Sequence, residues 1–295
     1  MRRTLIVVII YIFLIANIYA QDRTVSKDQA DMVAAERAFA KLGYERGFRV
    51  SFYTYFADDA IAFTPHPAKV RPGLAKLDPD KFPLARPFNW APVLGDISAA
   101  GDMGYNAGPV VFEDHTEAKT PPKHGVFFSI WKKQADGSWR VMLDLGVNVP
   151  SLLAALDAPY RSVSKAVLKN RNLNAKDELA KMLEADQGLM TASAFGNLSA
   201  WGAWLDENAR IHRSGMVPVT GKSAVVIWLA TQKYAYKGEV MFSDIAASGD
   251  LGYAYGRAET ATEKGYYVRV WKRDDEGNWR MAVDIFSPIP PPTAN

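Results

Sequence analysis

Two stretches decide how this chain is organised: IWKKQADGSWRVMLDLGVNVP at residues 130–150 and VWKRDDEGNWRMAVDIFSPIP at residues 270–290. They align without a gap at an offset of 140, from 130 to 270, and seven of their 21 positions are identical. A second pair, DISAAGDMGYNAG at 96–108 and DIAASGDLGYAYG at 244–256, matches at eight of 13 positions, with an offset of 148 from 96 to 244. Two matched blocks in the same order indicate a tandem duplication.

The two copies also share an order of predicted elements. Each begins with an amphipathic helix, since Ser26 and Gln29 form a capping box before the first and Asn174 precedes the second. The apolar residues recur on one face of each helix. They are Met32, Val33, Phe39 and Leu42 in the first helix, and Leu179, Met182, Leu183 and Met190 in the second.

After the helix, both copies carry the same succession of aromatic, acidic, strand and turn signals. In the two copies these are aromatic segments at 52–56 and 201–205, acidic turns at Asp58-Asp59 and Asp206-Glu207, strands at 126–131 and 266–271, hairpins at Asp136-Gly137 and Glu276-Gly277, and Gly-Asp-x-Gly-Tyr turns at 101–105 and 249–253.

Helices first and antiparallel strands afterwards predict an α+β unit, with its helices packed on one face of a curved sheet. A chain of 295 residues is long enough for two such domains. We therefore predict a signal peptide at 1–20, a first copy at 26–150, a linker with a short helix at 151–173, a second copy at 174–290 and a tail at 291–295.

The N-terminus predicts export. Arg2 and Arg3 precede an apolar run, and small Ala20 then precedes Gln21, where cleavage is expected. Ile18 is a poor residue for that cleavage site, which leaves an uncleaved anchor open. The chain has no cysteine, and an exported protein without disulfides is typical of the bacterial periplasm. Removing the signal leaves 33 basic and 32 acidic residues, so charge gives no reason to expect nucleic-acid or membrane binding.

The repeated motifs and the order of elements resemble those of a known family. The element order, closed by W-K-x-x-x-D-G-x-W-R-[apolar]-x-x-D at residues 131–144, is similar to the SnoaL-like group of the nuclear-transport-factor-2-like superfamily, and more narrowly to an uncharacterised branch of it. The resemblance covers both copies and implies two cone-shaped, cystatin-like domains around apolar pockets. That superfamily includes ketosteroid isomerases, dehydratases, epoxide hydrolases, polyketide cyclases and non-catalytic binding domains, so the fold alone does not choose an activity.

The strongest catalytic candidates lie in the second copy. A pocket carboxylate at Asp284 could act as a general base, with Arg269 or Tyr253 polarising the substrate. If the hairpin pairs Arg273 with Asn278, Arg269 lies diagonal to Asp284 on one face, whereas a one-residue bulge would separate them. Such a pair is similar to the carboxylate–arginine arrangement of the epoxide-hydrolysing relatives. The first copy has Ser129 in this place, which confines the expected chemistry to the second copy.

Further residues are candidates for lining a pocket, each with a structural alternative. Strand alternation puts Val141, Leu143 and Leu145 on one face and Asp144 on the other, where Asp144 faces either a pocket or solvent. The aromatic and histidine candidates are equally expected in a core. They are Trp131, Tyr105, Trp271, Tyr255 and His212.

We expect a small, largely apolar ligand in the pocket of one or both copies. His66, His115, His124 and His212 have no zinc-binding spacing, so we expect neither a metal nor another cofactor. Two alternatives stay open. The second copy is a cofactor-free lyase, isomerase or hydrolase, or the protein is an interaction scaffold. In that scaffold the exposed sheet faces pair, as an intramolecular pseudo-dimer or a homodimer.

Overall fold

The computed structural model describes residues 25–76, 88–114, 118–163, 173–232 and 235–290. The predicted signal peptide and tail, the end of the predicted linker, and His115 lie outside the described residues.

The first copy folds as a long helix followed by a mixed sheet. Its elements are α1 (Lys27–Tyr55), β1 (Phe56–Phe63), β2 (Pro67–Lys69), α2 (Val70–Ala75), β3 (Phe88–Trp90), β4 (Leu94–Ile97), β5 (Met103–Phe112), β6 (Lys123–Lys133), β7 (Trp139–Val149) and β8 (Arg161–Ser162). The strands run in the order β2-β1-β7-β6-β5-β4-β8, and β3 also pairs with β5.

The second copy repeats this arrangement. Its elements are α3 (Ala175–Ser193), a 3₁₀ helix (Leu198–Ala203), β9 (Leu205–Arg213), β10 (Val219–Thr220), α4 (Lys222–Thr231), β11 (Lys237–Ile245), β12 (Leu251–Glu259), β13 (Lys264–Arg273) and β14 (Trp279–Pro288), in the sheet order β10-β9-β14-β13-β12-β11. The protein is therefore an α+β chain of two tandem helix-plus-sheet units, as predicted. The sheets are mixed rather than wholly antiparallel, because β1 and β9 run parallel to β7 and β14.

The predicted turns and helix starts have clear local causes. Gly137 and Gly277 adopt φ values of 80° and 90° in the two hairpins, a region that glycine enters without steric cost. Ser26 caps α1 by accepting a hydrogen bond from the Gln29 backbone N–H at 3.2 Å. The Gln29 side-chain amide donates to the Tyr160 hydroxyl at 3.0 Å, which ties the start of α1 to the segment after β7.

Three local predictions are corrected by the structure. Asp58 and Asp59 lie on strand β1, and Asp206 and Glu207 lie on β9, so neither acidic pair forms a turn. The described part of the predicted linker, residues 151–163, contains no helix. It instead supplies β8, which pairs in parallel with β4.

A bulge in the last strand of each copy changes which residues share a face. In the first copy Trp131 pairs with Val141 but Ile130 pairs with Leu143, so Met142 is the extra residue. Val141 therefore packs under α1, while Leu143 and Leu145 face the other side, which corrects the simple alternation. The equivalent bulge at Ala282 places Arg269 directly opposite Asp284 instead of diagonal to it.

The sheet faces turned away from the helices pack against each other. One buried apolar cluster draws on both copies, including Leu143 and Leu145 from the first and Val268 and Ile285 from the second. Its polar rim is reciprocal. Lys272 Nζ donates to Asp96 at 2.6 Å, and the equivalent Lys132 Nζ donates to Asp244 at 2.5 Å, so the repeated W-K and D-I motifs meet across this interface.

The two reciprocal ion pairs make a matched experiment. We expect Lys272→Met to lower the free energy of unfolding by about 3 kcal/mol, because its partner Asp96 is buried and loses a paired charge. We expect Lys132→Met to lower it by at most about 1 kcal/mol, because that pair is partly exposed at 30% and 24%. Urea unfolding of both variants measures the difference, and equal losses would contradict the burial argument.

Candidate ligand pocket

An apolar cavity of about 250 Å³ lies in the first copy between α1 and the sheet. Its lining is dominated by aromatic rings from α1, β3, β5 and β6. The described lining residues are Phe39, Phe48, Phe52, Phe88, Trp90, Val110, Phe112, Phe127, Asp144, Leu145 and Gly146. A concave apolar site with few polar groups is the usual form of a small-molecule site.

Asp144 is the one ionisable side chain among these described lining residues. It lies on β7 opposite Ser129 of β6, on the face that α1 covers. Burial, together with the nearby Glu36 carboxylate, raises the pKa of Asp144 well above its usual range. The pocket therefore presents a carboxyl group that holds its proton more tightly than an exposed aspartate does.

Glu36 lies behind the pocket, fully buried on α1. Its carboxylate accepts from Trp90 Nε1 at 2.8 Å, from Trp131 Nε1 at 2.5 Å, from Asn106 Nδ2 at 3.5 Å, and from the Ser129 hydroxyl. Burial raises the pKa of Glu36, and these donors oppose the rise. Because donors surround Glu36, it is the group of this pair that is stabilised as the anion, and Asp144 is the group that takes the proton.

The equivalent space in the second copy is filled by Arg269. Its guanidinium donates from Nε to Asp284 at 2.7 Å and from NH1 to Asp186 at 3.0 Å, and all three side chains are fully buried. Arg213 adds a second donor to Asp284 at 2.6 Å. Burial opposes ionisation of Asp284, but the charges of Arg213 and Arg269 outweigh it and lower the pKa of Asp284.

Aromatic rings surround the Arg269 guanidinium. Its central carbon lies 4.2 Å from the ring centre of Tyr267, 5.1 Å from that of Trp201 and 5.6 Å from that of Tyr236. These distances are typical of cation–π contacts. The Asp186–Arg269–Asp284 network is therefore closed and fully partnered.

The repeat shows how the first copy differs from the second at this cavity. At the offset of 140, Ser129 corresponds to Arg269 and Gly146 corresponds to Phe286. Arg269 and Phe286 are both buried on the helix side of the second sheet, where Phe286 packs 6.0 Å from the Tyr236 ring. The first copy thus has a serine and a glycine in place of two large side chains. Gly146 lines the pocket, and Ser129 lies beside it, opposite the lining residue Asp144.

The predicted catalytic group of the second copy is not assembled. Arg269 and Asp284 lie together as expected, but Tyr253 is buried on the opposite sheet face, in the cluster between the two copies. Tyr253 thus cannot polarise a substrate held by Arg269 and Asp284, and that part of the prediction is wrong. We predicted catalysis in the second copy alone and left ligand binding open in one or both copies, and the cavity under α1 lies in the first copy.

The other predicted residues divide into three groups. Asp144 lines the cavity, which is one of the two positions left open for it by the sequence. Trp131 and Trp271 are fully buried and donate to Glu36 and Asp186, so they hold the carboxylates behind the site. The remaining candidates, Tyr105, Tyr255 and His212, lie outside the cavity.

These three have structural surroundings. Tyr105 and Tyr255 belong to the cluster between the sheets. His212 is buried on β9 and pairs with Ile285, which belongs to the same cluster. Burial and the charges of Arg210 and Arg213 lower the pKa of His212 to about 3, so it is neutral at physiological pH.

Sequence reasoning missed Glu36 and the aromatic lining. A signal for Glu36 was present, because it lies on the apolar face of α1 between Met32 and Ala40, at helical spacings of four residues. Asp186 has the same relation to Met182 and Met190 on α3. A carboxylate on the buried face of each helix, at equivalent positions of a repeat, indicates a functional or ionic site.

The described ranges contain neither a metal-ligand cluster nor a candidate membrane-spanning helix. No cluster of three His, Asp or Glu side chains there could hold a metal ion. No helix in those ranges is both long and apolar enough to cross a membrane.

No protein-family model matches the chain, and no curated protein sequence matches it significantly. Among solved structures, a ketosteroid isomerase-like protein from Erwinia carotovora atroseptica is 16% identical with a TM-score of 0.36, over 39% of this chain and 98% of that one. An NTF2-like protein with a cystatin-like fold from Novosphingobium aromaticivorans is 11% identical with a TM-score of 0.34, over 40% and 86%. Nuclear transport factor 2 from Cryptosporidium parvum is 12% identical with a TM-score of 0.31, over 37% and 93%. The chain is thus similar to nuclear-transport-factor-2-like proteins over about two-fifths of its length.

Proposed function

We propose that the first copy binds one small, largely apolar molecule in the pocket under α1. The observation that carries this proposal is the cavity of about 250 Å³ with its aromatic lining. Asp144 is the one carboxyl group among the described lining residues. Burying a carboxyl group in an apolar pocket costs stability, and such costs are concentrated at functional sites.

We propose that the second copy acts as a built-in partner subunit rather than as a second binding site. Its helix-side interior is occupied by Arg269 and Phe286. Its sheet packs on that of the first copy through an apolar cluster with reciprocal ion pairs. This arrangement supports an intramolecular pseudo-dimer with one ligand for each chain.

A cofactor-free isomerase or lyase is a second candidate, now placed in the first copy. The raised pKa of Asp144 favours it, because a carboxyl group that titrates closer to neutrality can both donate and accept a proton. Turnover of a ligand recovered with the protein would decide between binding and catalysis.

We also propose that the mature protein is exported, on the strength of residues 1–20 alone. Native mass spectrometry of protein purified from its own cells tests both export and ligand binding in one experiment. A chain beginning at Gln21 with one retained organic ligand supports them. A chain beginning at Met1 contradicts cleavage, and a ligand-free chain leaves the decision to the binding experiment below.

Ser129→Arg tests the pocket directly, because it places in the first copy the residue that fills the second. We expect this variant to fold, since Glu36 and Asp144 correspond to the carboxylates that hold Arg269. It should weaken binding of the neutral fluorescent probe N-phenyl-1-naphthylamine at least about 10-fold, because a filled cavity leaves no apolar area to bury on binding.

Ala135→Arg is the matched control, since it adds the same side chain at an exposed position of the hairpin after β6. Wild-type protein and this control should bind the probe equally, at one per chain. Equal binding by a folded Ser129→Arg variant would show that the probe lies elsewhere and would overturn the proposed site.

A further inference from the structure

We propose that the ligand of this pocket carries an organic cation, a guanidinium or ammonium head on an apolar body. This inference rests on the proposed function and adds the chemical class of the ligand. The second copy supplies the argument, because there the equivalent residues hold a guanidinium that belongs to the chain itself.

The carboxylates of the two copies correspond. Asp144 and Asp284 share the offset of 140 and lie on equivalent last strands. Glu36 and Asp186 lie on equivalent helix faces, and each accepts from the indole N–H of the repeated tryptophan, at 2.5 and 3.1 Å. In the second copy these two carboxylates bind Arg269 between them.

The aromatic surroundings correspond as well. The three rings around Arg269 are those of Trp201, Tyr236 and Tyr267. Their counterparts by repeat position are Phe52, Phe88 and Phe127, and all three line the cavity of the first copy. An aromatic cage beside a carboxylate is a general arrangement for binding organic cations.

The charges of the two copies differ in the way the proposal requires. In the second copy, Arg213 and Arg269 face Asp186 and Asp284. In the first copy the described lining contains no Lys, Arg or His, and the hydrogen-bond donors to Glu36 are neutral indole, amide and hydroxyl groups. A cation in this cavity would therefore meet the Asp144 carboxyl group, with the buried Glu36 carboxylate behind it and no cationic side chain in the described lining.

The filled volume of the second copy suggests the shape of a probe. By repeat position, Phe286 stands where Gly146 lines the cavity, and Arg269 stands where Ser129 lies opposite the lining residue Asp144. Their side chains end in a phenyl ring and a guanidinium. Phenylguanidine joins these two groups in one molecule, and phenylurea is its uncharged counterpart of nearly equal shape. The pair separates the contribution of the charge from that of apolar burial.

Isothermal titration calorimetry of the full chain at pH 8 tests the inference. We expect phenylguanidine to bind at one per chain and at least about 10-fold more tightly than phenylurea, because a desolvated charge pair adds to the same apolar burial. Asp144→Asn should weaken phenylguanidine at least about 10-fold and change phenylurea less than about 2-fold. Asp157→Asn, an exposed aspartate in the segment after β7, is the control and should change neither.

The same titration has a signed pH dependence. A bound cation favours ionised Asp144, whose proton must leave first, so phenylguanidine affinity should rise with pH while phenylurea affinity stays flat. Tighter binding of phenylurea than of phenylguanidine, or an unchanged preference in Asp144→Asn, would overturn the inference. If N-phenyl-1-naphthylamine still binds in that case, the proposed pocket is retained and only the cationic ligand is rejected. If none of the three probes binds, both the pocket and the cationic ligand are rejected.

Discussion

Arg269→Met will lower the free energy of unfolding by about 3–5 kcal/mol, the largest effect we expect from one substitution in this chain. The guanidinium is fully buried and is shared by Asp186 and Asp284. Methionine fills much of its volume but leaves Asp186 without a cationic partner among the described residues and leaves Asp284 with Arg213 alone. Chemical unfolding in urea at pH 7 measures the loss.

The combined variant Asp186→Asn, Arg269→Met, Asp284→Asn is the control for lost charge balance. It removes the Arg269 cation and both anions together. The amide oxygen at position 186 still accepts from Trp271, and the Tyr267 hydroxyl can accept from the amide NH2 instead of donating. We expect it to recover at least half of the stability lost in Arg269→Met, because breaking a buried ion pair costs more than removing it whole. Equal losses would instead assign the effect to packing around the arginine stem.

The pH dependence of the unfolding free energy of the wild type and Arg269→Met is an independent test of the ion-pair network. In the wild type the pKa of Asp284 is lowered, so its stabilising contribution is present above the unfolded-state pKa and is lost as pH falls through the folded-state pKa. In Arg269→Met the carboxylates lose their cation and bind protons more readily. The stability difference between wild type and variant should therefore narrow as pH falls from 7 to 4.

Glu36→Gln will cost about 2–4 kcal/mol, although it changes one atom. Both carboxylate oxygens accept hydrogen bonds, Oε1 from Trp90 and Oε2 from Trp131, Ser129 and Asn106. The amide NH2 of glutamine cannot accept, so at least one donor faces another donor in a dry interior. Unfolding in urea measures the loss, and phenylguanidine affinity should fall as well, because one of the two negative charges is gone.

Glu45→Gln on the same helix is the matched control. Glu45 is exposed, and its carboxylate lies 3.9 Å from the Lys41 ammonium, so we expect a change of at most about 0.5 kcal/mol. An equally small change in Glu36→Gln would mean that the four donors find other partners. It would also remove the argument that Glu36 is the ionised member of the pair.

Much of the architecture could be predicted from residues that act locally. The recurring Asp/Glu-Gly hairpins, the Gly-Asp-x-Gly-Tyr turns and the apolar helix faces each depend on a few neighbouring positions. Their repetition predicted two α+β units. The pairing of Arg269 with Asp284 also followed from strand register, although the predicted register was off by one residue and the bulge at Ala282 restored their contact.

The location of the site could not be predicted in the same way. We predicted catalysis in the second copy because Arg269 and Asp284 stand out in its sequence, and we left ligand binding open in one or both copies. A charged pair is easier to recognise in a sequence than an interior position with too little side-chain volume. In the first copy Gly146 lines the cavity where the second copy has Phe286, and Ser129 lies next to the lining residue Asp144 where the second copy has Arg269. Whether small residues leave a space or are closed over by neighbours depends on packing from distant elements, here Phe39, Phe52 and Phe88.

The amino-acid sequence by itself determined the duplication, the element order and the chemical types that each copy can bring together, because these follow from backbone preferences and short spacings. Only the tertiary structure decided which copy is open, which face Tyr253 occupies, and which carboxyl group is partnered. Those outcomes depend on bulges, on cross-strand neighbours and on the packing of two sheets, and such contacts join residues more than 100 positions apart, as Lys132 and Asp244 are.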